Sequence, residues 1–198
     1  MLFTTEILKE QYKDYANPLD KIKREVDKHN LYRIVRGIYE NDITIEPMFF
    51  ASAILFPSYI SFDYALAYYG FIPERVEAIT CATFGVKKNK TFTNIFGRFE
   101  YTDVPSDVFS IGTTLLNNNK GYGAIIASKE KAICDSLYKW PVIHSVKALK
   151  ILLFEDKRID KEEFSKMNFV DLIKIAELYK RTNHRYLIKF IRKEFLHE

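Results

Sequence analysis

The chain has 198 residues, 47% hydrophobic and 28% charged, with a formal net charge of +4. That length holds one good-sized domain or a small one joined to a larger one, and the composition excludes collagen-like and disordered classes. No apolar run approaches the roughly 20 residues of a membrane span, and no signal peptide opens the sequence, since Met1-Leu2-Phe3 gives way at once to Thr4, Thr5 and Glu6.

Thr4 or Thr5 can cap a first helix to about Ala16, with Ile7, Leu8, Tyr12 and Tyr15 spaced along one face. Asn17-Pro18 breaks it and starts a second, because Asn is a good N-cap and Pro fits the first helical position. That helix, LDKIKREVDKHN, buries Leu19, Ile22 and Val26 and turns Lys21, Arg24 and Lys28 outward, with Asp20 and Asp27 interspersed. LYRIVRGIYEND, residues 31–42, then reads as a tight two-stranded ribbon turning near Arg36-Gly37.

From Pro47 the character changes. PMFFASAILF reads as a buried helix, and PSYIS follows with Ser61 as the cap of FDYALAYYG, which ends at Gly70. Residues 77–126 predict an antiparallel sheet from EAITCATF, KTFTNIF, RFEYTDV, DVFSIGTTL and YGAIIA, punctuated by GVKKN, Gly97, Pro105 and NNNKG. The last third is helical: Ser128 caps KEKAICDSLYKW, and Pro141 restarts a helix to about Glu155. A short helix follows Asp160, then NFVDLIKIAELYK and a final YLIKFIRKEFL. The expected fold is α+β. A winged helix-turn-helix module at 1–46 precedes an antiparallel β-sheet domain wrapped by helices at 47–198, with a helical C-terminal third.

The sequence makes no positive case for catalysis. His29, His144, His184 and His197 are scattered, none in a metal-ligand spacing, and GxSxG, Walker A and GxGxxG patterns are absent. Gly121–Gly123 is too short to cradle a phosphate and belongs to a turn. Ser58 and Ser61 read as caps, and Glu162-Glu163 as a solvated helix start. Lys129, Glu130, Lys131 and Asp135 read as part of a capped amphipathic helix burying Ala132, Ile133 and Leu137, with a polar site as the alternative. Cys81 and Cys134, far apart and without Cys or His neighbours, read as buried thiols of a cytoplasmic protein. The expectation is a non-enzyme with no metal and no cofactor.

Two basic surfaces stand out. The first comprises Lys21, Arg24 and Lys28 on the second helix with Arg33 and Arg36 on the ribbon, placed for groove and phosphate contacts. The second is Arg185, Lys189 and Arg192, one face of the last helix in a stretch with no acid between Lys180 and Lys193. Charge alone favours a solvated helix face in both cases, with Asp20, Glu25 and Asp27 balancing the first set.

RIVRGIY, FPSYISFDYALAYYGFIPE, EAITCAT, FGRFEYTDV and IASKEKAICDSLY occur in that order. Together they resemble the AbiEi family of antitoxins and transcriptional regulators from type IV (abortive infection) toxin–antitoxin systems, over roughly residues 18–140. The resemblance implies a winged helix that represses its own operon by binding inverted repeats in double-stranded DNA, with Lys21, Arg24 and Lys28 on the recognition helix and Arg33 and Arg36 on the wing. It also implies a C-terminal domain that neutralises a nucleotidyltransferase-like toxin without a stable complex. The family's basic-Gly-aliphatic-Tyr pattern stands here as Arg36-Gly37-Ile38-Tyr39. Two features depart from the pattern: only Met1 to Phe3 precede the first helix, where members often carry another, and the recognition helix holds several acids. The alternative function is an interaction protein acting through 47–198, with an N-terminal module that does not bind DNA.

Overall fold

In the computed structural model, which describes residues 1–197, strand β1 (Phe3–Thr4) leads directly into helix α1 (Thr5–Gln11). Thr4 Oγ1 caps that helix, accepting from the Ile7 N–H at 3.3 Å. The helix stops at Gln11, short of the predicted Ala16, and the Tyr12 and Tyr15 rings meet edge to face at 5.9 Å in the connecting turn. Helix α2 (Pro18–Asp27) starts as predicted: Asn17 Oδ1 accepts from the N–H groups of Leu19 and Asp20 at 3.1 and 3.4 Å.

Strands β2 (Tyr32–Val35) and β3 (Ile38–Glu40) form the ribbon, and Gly37 takes φ +87 at the turn, where glycine is favoured. The ribbon is not alone. Strand β1 pairs with β3, giving a three-stranded sheet in the order β1-β3-β2. Two residues carry too little pattern for β1 to be read from sequence.

Leu8, Ile22 and Leu31 form a small core between the helices and one face of the ribbon, with Phe3, Tyr12, Val26 and Tyr39 packed on it. Fully burying each such aliphatic contributes about 1.5–3 kcal/mol, so this core is thin. Alternation along β2 sends Ile34 the other way, into the main core. The ribbon is thus a shared wall. Asn94 donates to the Ile34 carbonyl at 2.9 Å, and the Tyr32 ring meets Phe96 edge-on at 6.1 Å.

The main unit opens with a 3-10 turn (Pro47–Phe50), α3 (Ala51–Ile54), β4 (Ser58–Ile60) and α4 (Phe62–Tyr68). Strands β5 (Ala78–Thr83), β6 (Lys90–Asn94), β7 (Gly97–Asp103), β8 (Thr113–Asn117) and β9 (Gly123–Ala127) follow. The six-stranded order is β6-β7-β5-β4-β9-β8. This corrects the antiparallel expectation: β4 with β9 and β5 with β7 are parallel, so the sheet is mixed. The β6–β7 and β8–β9 hairpins are local and legible. The order at the centre is long-range, and β4, buried at all three positions, lacks the alternation that marks a strand.

The C-terminal part is helical: α5 (Lys129–Lys139), α6 (Val146–Ile151) running into a π turn (Leu152–Asp156), α7 (Lys161–Ser165), α8 (Phe169–Tyr179) and α9 (Thr182–Ile191), with a second π turn at Arg192–Leu196. Two predicted starts move. The helix placed at Pro141 begins at Val146 behind a Ser145 cap, and the last helix begins at Thr182 rather than Tyr186. Asn183 explains both: its buried side chain accepts from the Ile143 N–H at 2.9 Å and donates to the carbonyls of Leu137 and Pro141 at 3.0 Å, holding 141–144 as a loop. Among the described residues no helix is long and apolar enough to cross a membrane.

Candidate nucleic-acid interface

The basic residues of α2 do not share one role. Arg24 and Lys28, one turn apart, are exposed on its outer face, and neither makes a salt bridge among the described residues. Lys21 is a correction to the predicted outward set. It turns inward, pairs with Glu25 at 2.6 Å, and sits over the Tyr15 ring at 4.9 Å and the Tyr12 ring at 5.7 Å. Glu25 is itself buried and also accepts from Asn30 at 2.8 Å. The Glu25 bond raises the Lys21 pKa, and the Lys21 bond, then Asn30, lowers that of Glu25. Lys21 therefore ties α2 to the Tyr12–Tyr15 turn.

On the ribbon, Arg33 and Arg36 are exposed and form no salt bridge among the described residues. Arg33 lies opposite Tyr39 in the ladder, on the face that carries the helices. Arg24, Lys28, Arg33 and Arg36 are thus the members of the predicted set that stand exposed. Lys23, also exposed on α2, was left out of the predicted set.

In the C-terminal set Arg185, Lys189 and Arg192 are all exposed, as predicted. The set is less bare than the sequence suggests. Glu177 of α8 pairs with Arg192 at 3.5 Å, and Lys189 lies over the Tyr186 ring at 5.7 Å. The acid comes from the neighbouring helix, which local sequence does not reveal.

Glu40 ends the ribbon fully buried. It accepts from the Tyr122 hydroxyl at 2.6 Å, the Asn41 and Asp42 N–H groups at 2.9 and 3.0 Å, and the Met1 amine at 2.8 Å. Burial opposes its charge, but these bonds outweigh it and hold the carboxyl below its ordinary range. Beside it Lys120 reaches Asp42 at 2.7 Å, and that bond and Thr44 hold the Asp42 carboxyl well below the usual range. The module is anchored to the β8–β9 hairpin at this point.

The most developed polar cluster lies elsewhere, inside the main core. Lys131 and Asp135, one turn apart on α5, are fully buried and lie 3.2 Å apart. Both residues therefore lie off the protein surface, in a polar site inside the core. Lys131 donates to the Val108 carbonyl at 2.8 Å and the Tyr179 hydroxyl at 2.5 Å. Asp135 accepts from Tyr59 at 2.9 Å, Ser61 at 2.6 Å, and Tyr179. Burial pushes the Lys131 pKa down against the pull of Asp135, and it pushes the Tyr59 and Tyr179 phenols up.

Ser61 occupies the predicted cap position of α4, but its hydroxyl serves Asp135 instead. Thr80 of β5 takes over at the helix start. Its Oγ1 accepts from the Tyr64 N–H at 3.0 Å and donates to the Ser61 carbonyl at 2.6 Å. Gly112 lets the chain pass over the cluster, since a Cβ there would come within 3.1 Å of Lys131 Cβ. The cluster has one sequence trace, a Lys and an Asp at i, i+4 on the helix face that also carries Ala132 and Cys134 in the core.

His184 stacks on Tyr179, with centroids 4.3 Å apart and planes 6° apart, and its Nε2 lies 2.9 Å from the Cys134 carbonyl. Burial lowers its pKa to about 4, so the ring is neutral at pH 7 and its Nε2–H donates. A depressed His pKa means the unfolded chain binds the extra proton first. Stability is expected to fall as pH drops from 6.5 to about 4. The slope from this group is at most about 1.4 kcal/mol per pH unit. Urea titrations of the wild type and His184→Gln across that window check this: the variant should lose that part of the slope, and equal slopes contradict it.

Among the described residues no group of three or more His, Cys, Asp or Glu is arranged to hold a metal ion. Cys81 and Cys134 are buried free thiols, as predicted, and burial raises both pKa values. What the fold defines is an α+β chain with a small helix–helix–ribbon module, which exposes several cations, built against a mixed sheet. No protein-family model and no curated protein matches the sequence.

Proposed function

We propose that the chain is a DNA-binding autorepressor and antitoxin of the type IV kind, and that residues 1–46 act as a winged helix. The observation that carries the DNA-binding half is the N-terminal topology. Two helices lie between β1 and β2, the strands pair in the order β1-β3-β2, and Arg24, Lys28, Arg33 and Arg36 stand exposed without salt bridges among the described residues. In this reading α2 enters the major groove and the ribbon lies on the flanking backbone. The cations gain affinity by releasing counterions, and groove contacts supply sequence preference. The antitoxin half, with its cytoplasmic setting and its nucleotidyltransferase-like toxin, rests on the ordered sequence motifs.

The test is a gel-shift titration against salt with DNA from upstream of the chain's own operon. Removing Arg24, Lys28, Arg33 and Arg36 together is expected to reduce the slope of log K against log salt by about 3–4, near 0.9 per lost phosphate contact. Lys21→Ala is expected to lower the melting temperature with little change in slope, because Lys21 is spent on Glu25. Wild-type protein with no preference for that DNA at low salt sinks the reading.

A second reading has an observation of its own: Ile34 and Glu40 build the ribbon into the main core, as a wall does. Here the antitoxin acts through residues 47–198 and the module is structural. The wild type and the quadruple variant separate the two: DNA preference and repression that the variant loses support the first, and toxin neutralisation by a wild type without DNA preference supports the second.

A further inference from the structure

The two edges of the six-stranded sheet differ. Strand β6 is guarded: exposed Lys87, Lys88 and Lys90 lie at its start, and Asn94 at its end is bonded to the ribbon. Strand β8, Thr-Thr-Leu-Leu-Asn, has none of the usual protection. It contains no charge, no proline and no bulge, and among the described residues it pairs only with β9. Natural edge strands carry such devices because an open row of N–H and C=O groups is a template for another strand. Leu115 is 59% exposed, and Ile125, directly opposite it in the ladder, is 40% exposed. The unguarded edge thus has an apolar pair on its outer face.

We infer that β8 is a self-association edge, and that its occupant is the β8 strand of a second copy, paired antiparallel about a two-fold axis at Leu115. The strand's own sequence selects this occupant. Centred on Leu115, the pairing sets Leu115 against its copy, Thr114 against Leu116 and Thr113 against Asn117, so no like charges meet and polar ends face polar ends. On one face the Ile125–Leu115 pair continues into Leu115–Ile125 of the second copy, covering the exposed apolar pair on both chains. One five-residue strand pair is a small interface. The dimer is accordingly weak and concentration-dependent. The inference is independent of DNA binding and of any toxin.

Sedimentation of the full chain from about 5 to 500 µM tests it. The wild type is expected to shift from monomer to dimer, and Leu115→Lys to raise the dissociation constant at least ~10-fold with unchanged far-UV circular dichroism. Thr93→Lys, an added charge at an exposed position of the β6 edge, is expected to leave association as it was. A residue on the two-fold faces itself with Cα atoms about 4.5–5.5 Å apart, within disulfide range. Leu115→Cys should therefore cross-link on mild oxidation, and buried Cys81 and Cys134 should not. Three results overturn the inference: a wild type monomeric at 500 µM, an association that Leu115→Lys leaves intact, or a Leu115→Cys variant that associates without cross-linking. The first would leave the edge to an extended segment of another protein.

Discussion

Asp135→Ala is expected to cost about 3–5 kcal/mol of folding stability. The carboxylate balances the buried Lys131 ammonium and accepts the hydroxyls of Tyr59, Ser61 and Tyr179. Removing it leaves a charge and several donors in a site closed to water, and that desolvation is what the loss reflects. An attractive pair in such a site does not by itself stabilise the fold over an apolar one. The double exchange Lys131→Met/Asp135→Leu should therefore fall short of the sum of the two single losses by 1 kcal/mol or more, in rough terms. Urea denaturation of the wild type, Lys131→Met, Asp135→Leu and the double variant closes the cycle. A single-variant loss under about 1 kcal/mol would mean that water reaches the site and the pair is not closed off.

Glu40→Ala is expected to cost about 1–3 kcal/mol, because it removes the common acceptor of the Tyr122 hydroxyl and the Asn41 and Asp42 N–H groups. The loss falls where the module meets the sheet, so proteolysis should open residues 1–46 before the main unit. The carboxyl also carries a pH signature. Its folded pKa lies below the ordinary 4.5, so its contribution is present above 4.5 and disappears as pH falls through the folded value. Glu40→Gln should remove that acid-sensitive part while keeping an acceptor for Tyr122. The window starts at 4.5, where that of His184 is nearly complete, so the His184→Gln and Glu40→Gln proteins tell the two apart in one pH series. A Glu40→Gln protein with the wild-type acid profile counts against the assignment.

The basic set shows why the candidate interface was only partly legible. Arg24, Lys28, Arg33 and Arg36 are exposed as predicted, and none forms a salt bridge among the described residues. Lys21 has the same helical spacing, but Glu25 lies at i+4 and two tyrosines sit below it. A helical wheel places a Cβ, and the long lysine stem then follows its strongest partner. Arg192 repeats the lesson with Glu177 of the adjacent helix.

The sequence by itself determined what is decided within a few residues. The Asn17-Pro18 helix start, the Gly37 turn, the two hairpins, the Ser128 and Asp160 caps and the burial of both cysteines follow from local chemistry. Only the tertiary structure decided the third strand of the ribbon, the central β4 and the parallel pairings, because those depend on which distant segments share a core. The same holds for the polar cluster. The hydroxyls that meet Asp135 lie 76, 74 and 44 positions away, so a serine that reads as a helix cap becomes a carboxylate partner once β4 and α5 are packed together.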